Sequence, residues 1–265
     1  MHAIASQESL NRLVIYILSP ESLDSPETGA ATFISSPFAN SLMFIIGHRG
    51  ARGVEPENTL RAMRVGMRCA DYVEVDARLS GDGIPVVLHD ATVDRTTNGN
   101  GPVNALSAAE LRLLDAGKGE KVPTLEEVCR EVRGSCGLFC EIKEPGSEAA
   151  VCGVLAREAP DDLWIVSFHA ASLQAARQLL PRAGTGLIVS RLADDLPGKA
   201  VRLGVSAILL KFDLLSPDLI AACHDQGLRV VSWTLDTPEE FGTAARLGVD
   251  GLASDDPCAA RRFFG

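Results

Sequence analysis

From Phe44 to the C-terminus, short runs of β-branched and aliphatic residues alternate with segments that carry helix-start signals. This alternation constrains the fold more than any other feature. Parallel neighbours in a sheet need a crossover between them, and a helix is what packs there, so the pattern predicts parallel β/α architecture. Strands are expected at 44–47, 72–77, 85–88, 138–142, 163–167, 186–189, 207–210, 229–233 and 251–253. Helix starts are marked by side-chain oxygens that satisfy orphan N–H groups. Ser107 with Glu110 and Thr124 with Glu127 read as capping boxes, and Ser216-Pro217 and Thr237-Pro238 place proline at the first helical position. Leu60, Met63, Met67 and Ala70 make one apolar helical face.

Nine strands are one too many for a (β/α)8 barrel, and the excess has a local explanation. No crossover helix fits between Ala77 and Pro85, whereas Ser80-Gly-Asp-Gly83 is a turn. A hairpin centred between Asp82 and Gly83 would set Asp76 opposite His89 and make 85–88 an accessory return. Eight barrel strands then remain, and residues 44–265 are expected to form a single barrel domain.

Residues 1–43 differ. They are rich in Ser, Ala and Pro, carry one Arg and four acids, and show no sustained period, so they read as a disordered extension. Their apolar run at 13–18 is too short to span a bilayer, and Glu8 spoils a cationic signal region, so no membrane insertion is expected. Over the whole chain, 35 acidic against 25 basic residues give a net charge of −10 with no Lys/Arg cluster, which argues against nucleic acid as a partner. The seven cysteines are scattered without a CxxC pair. A disulfide scaffold or a zinc site is therefore not expected, and a reducing cytoplasm fits best.

Chemistry-bearing residues fall at predicted strand ends. Glu74 and Asp76 are separated by one residue and share a strand face, as do Glu141 and Lys143. The outer face of a barrel strand is covered by helices, so these side chains should point inward, near the C-terminal mouth where barrel enzymes keep their sites. Two carboxylates about 4 Å apart repel by roughly 4 kcal/mol at an effective dielectric of about 20. Glu74, Asp76 and Glu141 therefore call for a cation, and all-oxygen ligation selects one hard divalent ion, Mg²⁺ or Ca²⁺. His48 ends the first strand and His89 ends the hairpin return, placing two imidazoles at the same mouth as candidate acid and base. Arg49 and Lys143 add positive charge that suits a phosphate oxygen, with internal pairing to the acids as their competing role. The substrate class this implies is a phosphate ester. His2, His169 and His224 are assigned no role.

At these residues the sequence resembles the glycerophosphodiester phosphodiesterase family. The matching motifs run in order as His48-Arg-Gly-Ala51, Glu55-Pro-Glu-Asn-Thr59, Glu74-Val-Asp76, Pro85-Val-Val-Leu-His-Asp90 and Asp94-Arg-Thr-Thr-Asn-Gly99. Pro123-Thr-Leu-Glu-Glu127, Glu141-Ile-Lys143, Ser167-Phe168, Trp233-Thr234 and Asp250-Gly251 leading to Asp255 complete the set. The resemblance implies a TIM-type barrel of the phospholipase-C-like phosphodiesterase kind, hydrolysing a small-molecule glycerophosphodiester to sn-glycerol 3-phosphate and an alcohol. It also implies that Glu74, Asp76 and Glu141 bind the divalent metal and that His48 and His89 are the acid/base pair. Arg49 and Lys143 would hold the phosphate, with Phe168 and Trp233 walling the glycerol side. Asp236 stands where the family usually has Asn, the 114–123 stretch lacks the family's aromatic residues, and no insertion of the periplasmic branch follows His89, which favours the compact cytosolic form. A related barrel acting on lysophospholipids or sphingolipids, and an inactive barrel serving as a binding module, are the competing readings.

Overall fold

The computed structural model describes residues 43–158 and 160–265, so the expectation for the 1–43 extension lies, Met43 apart, outside the described residues. The chain enters the barrel through β1 (Phe44–Gly47), α1 (Leu60–Gly66) and β2 (Tyr72–Leu79), and turns back through β3 (Pro85–Val87). After the short α2 (Ala108–Leu111) come α3 (Leu125–Val132), β4 (Gly137–Ile142), α4 (Glu148–Glu158), β5 (Leu163–Ser167) and α5 (Ala170–Leu179). The second half runs β6 (Gly184–Val189), α6 (Leu196–Leu203), β7 (Ala207–Lys211), α7 (Pro217–Asp225), β8 (Arg229–Trp233), α8 (Pro238–Leu247), β9 (Gly251–Ser254) and α9 (Pro257–Phe264). The sheet order β1-β9-β8-β7-β6-β5-β4-β2, closed by β1 on β2, is an eight-stranded parallel barrel, with β3 antiparallel on the overhang of β2.

The predicted caps form. Ser107 and Thr124 each bond the backbone three residues on while Glu110 and Glu127 reach back, Thr237 makes the same box with Glu240, and Ser216 caps α7.

Strand alternation then divides the apolar residues. Val73, Val75, Leu138, Cys140 and Ile165 pack outward against Leu125, Val128, Val151 and Leu155 of the helices. Ile46, Phe139, Trp164, Val166, Ile188 and Leu209 fill the barrel interior, where Phe139 stacks on Trp164 at 5.4 Å and meets Tyr72 edge-on at 5.1 Å. In register, Glu74 lies beside Phe139 and Asp76 beside Glu141. Moving up the barrel, the inward positions thus change from aromatic packing to carboxylate.

Two expectations need correction. The hairpin register is shifted by one residue: Ala77 pairs with Val87 and Leu79 with Pro85, so Asp76 lies opposite Leu88, whose N–H donates to the Asp76 carbonyl at 2.9 Å. The cause is a three-residue turn, Gly81-Asp82-Gly83, in which Gly83 adopts φ 79° and Ser80 Oγ accepts the Ile84 N–H at 3.0 Å. His89 lies beyond the ladder, held by Arg78, which donates to its carbonyl at 2.8 and 2.9 Å. The second correction concerns the cysteines. Cys69 and Cys258, 189 residues apart, are disulfide-bonded, while Cys129, Cys136, Cys140, Cys152 and Cys223 are free thiols. It is one bridge across the barrel seam and not a scaffold. No spacing in the sequence reveals it, because the partners meet only when the barrel closes.

Candidate active site

The β1–α1 turn places the first group. Arg49 has φ 50° and Gly50 φ 84°, and a Cβ at Gly50 would come within 2.6 Å of the Ala62 carbonyl carbon, so only glycine lets α1 approach this closely. The Gly50 N–H donates to the Glu74 carbonyl at 3.2 Å and the Arg49 N–H to Glu74 Oε2 at 2.8 Å, which ties the turn to β2. The Arg49 side chain is thereby buried and lies with Nε 3.3 Å from Asp76 Oδ2 and Nη1 2.7 Å from Glu57 Oε1. Its Nε makes no hydrogen bond.

The three acids converge as expected. Glu74, Asp76 and Glu141 are buried and offer carboxylate oxygens that all lie within 4.8 Å of one another. Lys143 Nζ sits 2.9 Å from Glu141 Oε1 and 3.2 Å from Asp76 Oδ1, and Asn58 Nδ2 donates to Asp76 Oδ2 at 2.8 Å. Burial opposes ionisation of Asp76, but Lys143 and Arg49 outweigh it and hold the acid at about 2. For Glu141, burial and the Asp76 charge prevail and push it up to about 7. Burial, followed by repulsion from Asp76 and Glu141, lifts Glu74 well above the ordinary carboxylate range. These three clustered carboxylates, two of which resist ionisation despite Lys143 and Arg49, could hold a metal ion. The donor set fits a hard divalent ion. Arg49 and Lys143 each pair with these acids and each line a cavity at the mouth of the barrel.

Both histidines line that cavity, whose volume is about 270 Å³. His48 Nδ1 lies 2.7 Å from Asp255 Oδ1, and Arg52 Nε donates to the other oxygen of Asp255 at 2.7 Å. The Asp255 N–H and the Ser254 hydroxyl donate to Asp236 Oδ1 at 2.7 and 3.0 Å, an acceptor role that the family's usual Asn would fill equally well. His89 Nδ1 lies 2.6 Å from Asp90 Oδ1. Each Nδ1 is therefore engaged by a carboxylate. Burial pulls the His89 pKa below its ordinary value. Phe168 and Trp233 meet edge to face at 6.0 Å, and the Trp233 indole N–H is fixed on the Leu209 carbonyl at 2.9 Å. All nine predicted site residues are thus gathered at one end of the barrel. His224 pairs with Asp250 at 2.9 Å, and His169 precedes α5 without capping it through its side chain.

Sequence reasoning assigned no role to Glu57, Asn58, Arg95 and Asp255, all of which hold a site residue directly or through one partner. The only signal for them was membership of the matched motifs, because polar loop residues carry no periodicity.

The sequence model of the Glycerophosphoryl diester phosphodiesterase family matches residues 48–259. A glycerophosphodiester phosphodiesterase of Caldanaerobacter subterraneus subsp. tengcongensis is 33% identical over 228 residues, covering 80% of this chain and 94% of that protein. Among solved structures, an Oleispira antarctica phosphodiesterase in complex with the product sn-glycerol-3-phosphate is similar, with a TM-score of 0.80 and 29% identity over 84% of this chain and 96% of the other. A glycerophosphodiester phosphodiesterase from Agrobacterium tumefaciens gives a TM-score of 0.74 at 29% identity, over 83% of this chain and all of the other.

Proposed function

The chain belongs to the glycerophosphoryl diester phosphodiesterase family, a family of phosphodiester hydrolases, and from that premise we propose how its cavity cleaves glycerophosphodiesters. The observation that carries the proposal is the lining of one cavity by His48, His89, Arg49, Lys143, Glu74 and Glu141, the last two clustered with the buried Asp76. Glu74, Asp76 and Glu141 would hold a single Mg²⁺ or Ca²⁺. When bound, such an ion supplies Lewis-acid stabilisation of charge on the phosphate oxygens. Arg49 and Lys143 orient the phosphate by charge-assisted hydrogen bonds. Phe168 and Trp233 wall the glycerol, leaving the alcohol to leave through the open mouth.

The matched motifs hold no Ser or Cys as an obvious covalent nucleophile, whereas the substrate carries a hydroxyl beside its ester oxygen. One histidine, through Nε2, takes the proton of the glycerol 2-hydroxyl as that oxygen attacks phosphorus. The other protonates the departing alcohol oxygen as its P–O bond breaks, giving a cyclic phosphate across O2 and O3 of sn-glycerol. Water then opens the ring with the proton roles reversed, yielding sn-glycerol 3-phosphate.

The substrate is a small molecule, in keeping with the product bound to the Oleispira relative. No helix among the described residues is long and apolar enough to cross a membrane. The proposal keeps the enzyme in the cytoplasm on the strength of its five free thiols, against which the Cys69–Cys258 bridge counts, and fractionation of cells decides the point.

The test is hydrolysis of glycerophosphocholine, glycerophosphoethanolamine and lysophosphatidylcholine before and after exhaustive chelation. Activity on the first two should disappear with EDTA and return with a divalent ion, and His48→Ala or His89→Ala should each lower kcat on the order of 10²-fold or more. Full turnover after chelation, or by either variant, overturns the corresponding part of the proposal. Faster turnover of the lysolipid would move the substrate to the lipid class.

A further inference from the structure

A continuous chain of carboxylate–guanidinium forks joins the proposed phosphate grip to one of the proposed proton-transfer groups. Arg49 Nη1 donates to Glu57 Oε1 at 2.7 Å. Glu57 also accepts two bonds from Arg95, from Nη1 to Oε2 at 2.8 Å and from Nη2 to Oε1 at 2.7 Å. The other edge of the same guanidinium holds Asp90, with Nε to Oδ2 at 2.6 Å and Nη2 to Oδ1 at 3.0 Å. Asp90 Oδ1 then meets His89 Nδ1 at 2.6 Å. Arg95 therefore makes two bidentate pairs at once, an arrangement that its planar fork permits and a lysine ammonium does not.

The chain links two loops that have no strand pairing between them. Glu57 lies in the β1–α1 loop beside Asn58, which holds Asp76, while Asp90 and Arg95 lie in the loop that follows β3. Global stability is a poor explanation for such a device, because the Arg95 side chain is 47% exposed and half-exposed ion pairs contribute little to folding. Its effect is local. His89 itself is partly exposed, and the carboxylate on Nδ1 is what fixes the tautomer and aim of its ring.

We propose that Arg95 is a positioning residue for this reaction, holding His89 through Asp90 and Arg49 through Glu57, so that the proton-transfer nitrogen and the phosphate grip keep a fixed separation. The proposal rests on the reading of His89 as a proton-transfer group and Arg49 as a phosphate ligand.

The experiment uses the full chain with a divalent ion present and glycerophosphocholine as substrate. It compares Arg95→Ala, Arg95→Lys, His89→Ala and the double variant His89→Ala/Arg95→Ala, with thermal melting recorded for each. Misplacement of a reacting group by about 1 Å can cost on the order of 10²-fold. Arg95→Ala should accordingly lower kcat about 10- to 100-fold with an unchanged melting temperature, and Arg95→Lys should not restore it, since one ammonium cannot make both forks. The double variant should be no slower than His89→Ala. Cutting one arm at a time should split the kinetic constants: Asp90→Asn falls mainly on kcat, and Glu57→Gln mainly on KM.

A His89→Ala variant that is slow beside an Arg95→Ala variant with wild-type kcat overturns the positioning role and leaves the proposed function standing. An Arg95→Ala loss that adds in full to that of His89→Ala places Arg95 elsewhere in the reaction and also overturns it. A rise in KM alone leaves only the Glu57 arm toward Arg49 and overturns the hold of Arg95 on His89. Wild-type turnover by His89→Ala removes the premise, and the proposal falls with it. If Arg95→Ala fails to fold, Asp90→Asn alone and combined with His89→Ala carries the same comparison.

Discussion

Asp76 and Glu141 sit side by side on neighbouring strands, yet one is held at about 2 and the other pushed up to about 7. The difference lies in what each touches: Asp76 takes charge from both Arg49 and Lys143 and a hydrogen bond from Asn58, whereas Glu141 has only Lys143. A carboxyl whose folded pKa is raised stabilises the fold while it is protonated. That contribution is fully present below the unfolded value, about 4.3 for Glu, and is lost as pH rises through about 7. Without metal, the melting temperature should therefore fall between about pH 4.3 and pH 7 through this group. A divalent ion, which needs the ionised acid, should flatten the slope and bind more tightly as pH rises. Melting curves across this range in EDTA and in excess Mg²⁺ check both statements, and identical slopes would remove Glu141 from the metal site. At this scale the acids were legible because period-two alternation puts 74 with 76 and 141 with 143 on inward faces. The Asn58, Glu57 and Asp255 contacts were not legible, because they join loop positions to residues as far as 207 positions away and no local pattern encodes such pairings.

Element placement followed from the sequence more closely than element pairing. Strand cores and caps lie where β-branched runs and Ser/Thr-x-x-Glu signals put them, because both are set by neighbouring residues. The hairpin register was misread by one residue, since Asp-Gly looks like the centre of a two-residue turn while the structure uses Gly81-Asp82-Gly83. Ser80 decides between them: it is buried, its hydroxyl lies 2.6 Å from Asp82 Oδ1, and it accepts the Ile84 N–H. Ser80→Ala removes that acceptor and should destabilise the fold by about 1–2 kcal/mol. Urea unfolding with an unchanged m-value would report it. If the loop instead held its geometry at no cost, the turn would be set by Gly83 alone.

The whole barrel has one seam of large sequence separation, where β9 pairs with β1. Four contacts converge beneath it. Asp71 Oδ2 accepts the Ile45 N–H at 2.8 Å, Arg261 of α9 donates to Asp71 Oδ1 and to the Cys69 carbonyl at 2.8 Å each, and Cys69 is bonded to Cys258. The bridge closes a loop of 189 residues, so in the chain-entropy account it acts mainly by restricting the unfolded ensemble. Its removal by Cys258→Ser should cost roughly 2–4 kcal/mol. For a chain of this size that is a drop of roughly 5–15 °C in melting temperature. Catalysis should not follow, because Asp255, which precedes α9 and orients His48, is fixed separately by Arg52 and by Asp236. Below the lowered melting temperature, kcat of Cys258→Ser should match that of the parent chain, and a reductant should reproduce the shift in the parent alone. A melting temperature indifferent to both treatments would mean that the ion pair and the β1–β9 ladder close the seam by themselves. A fall in kcat at unchanged stability would instead make α9 part of the machinery that aims His48.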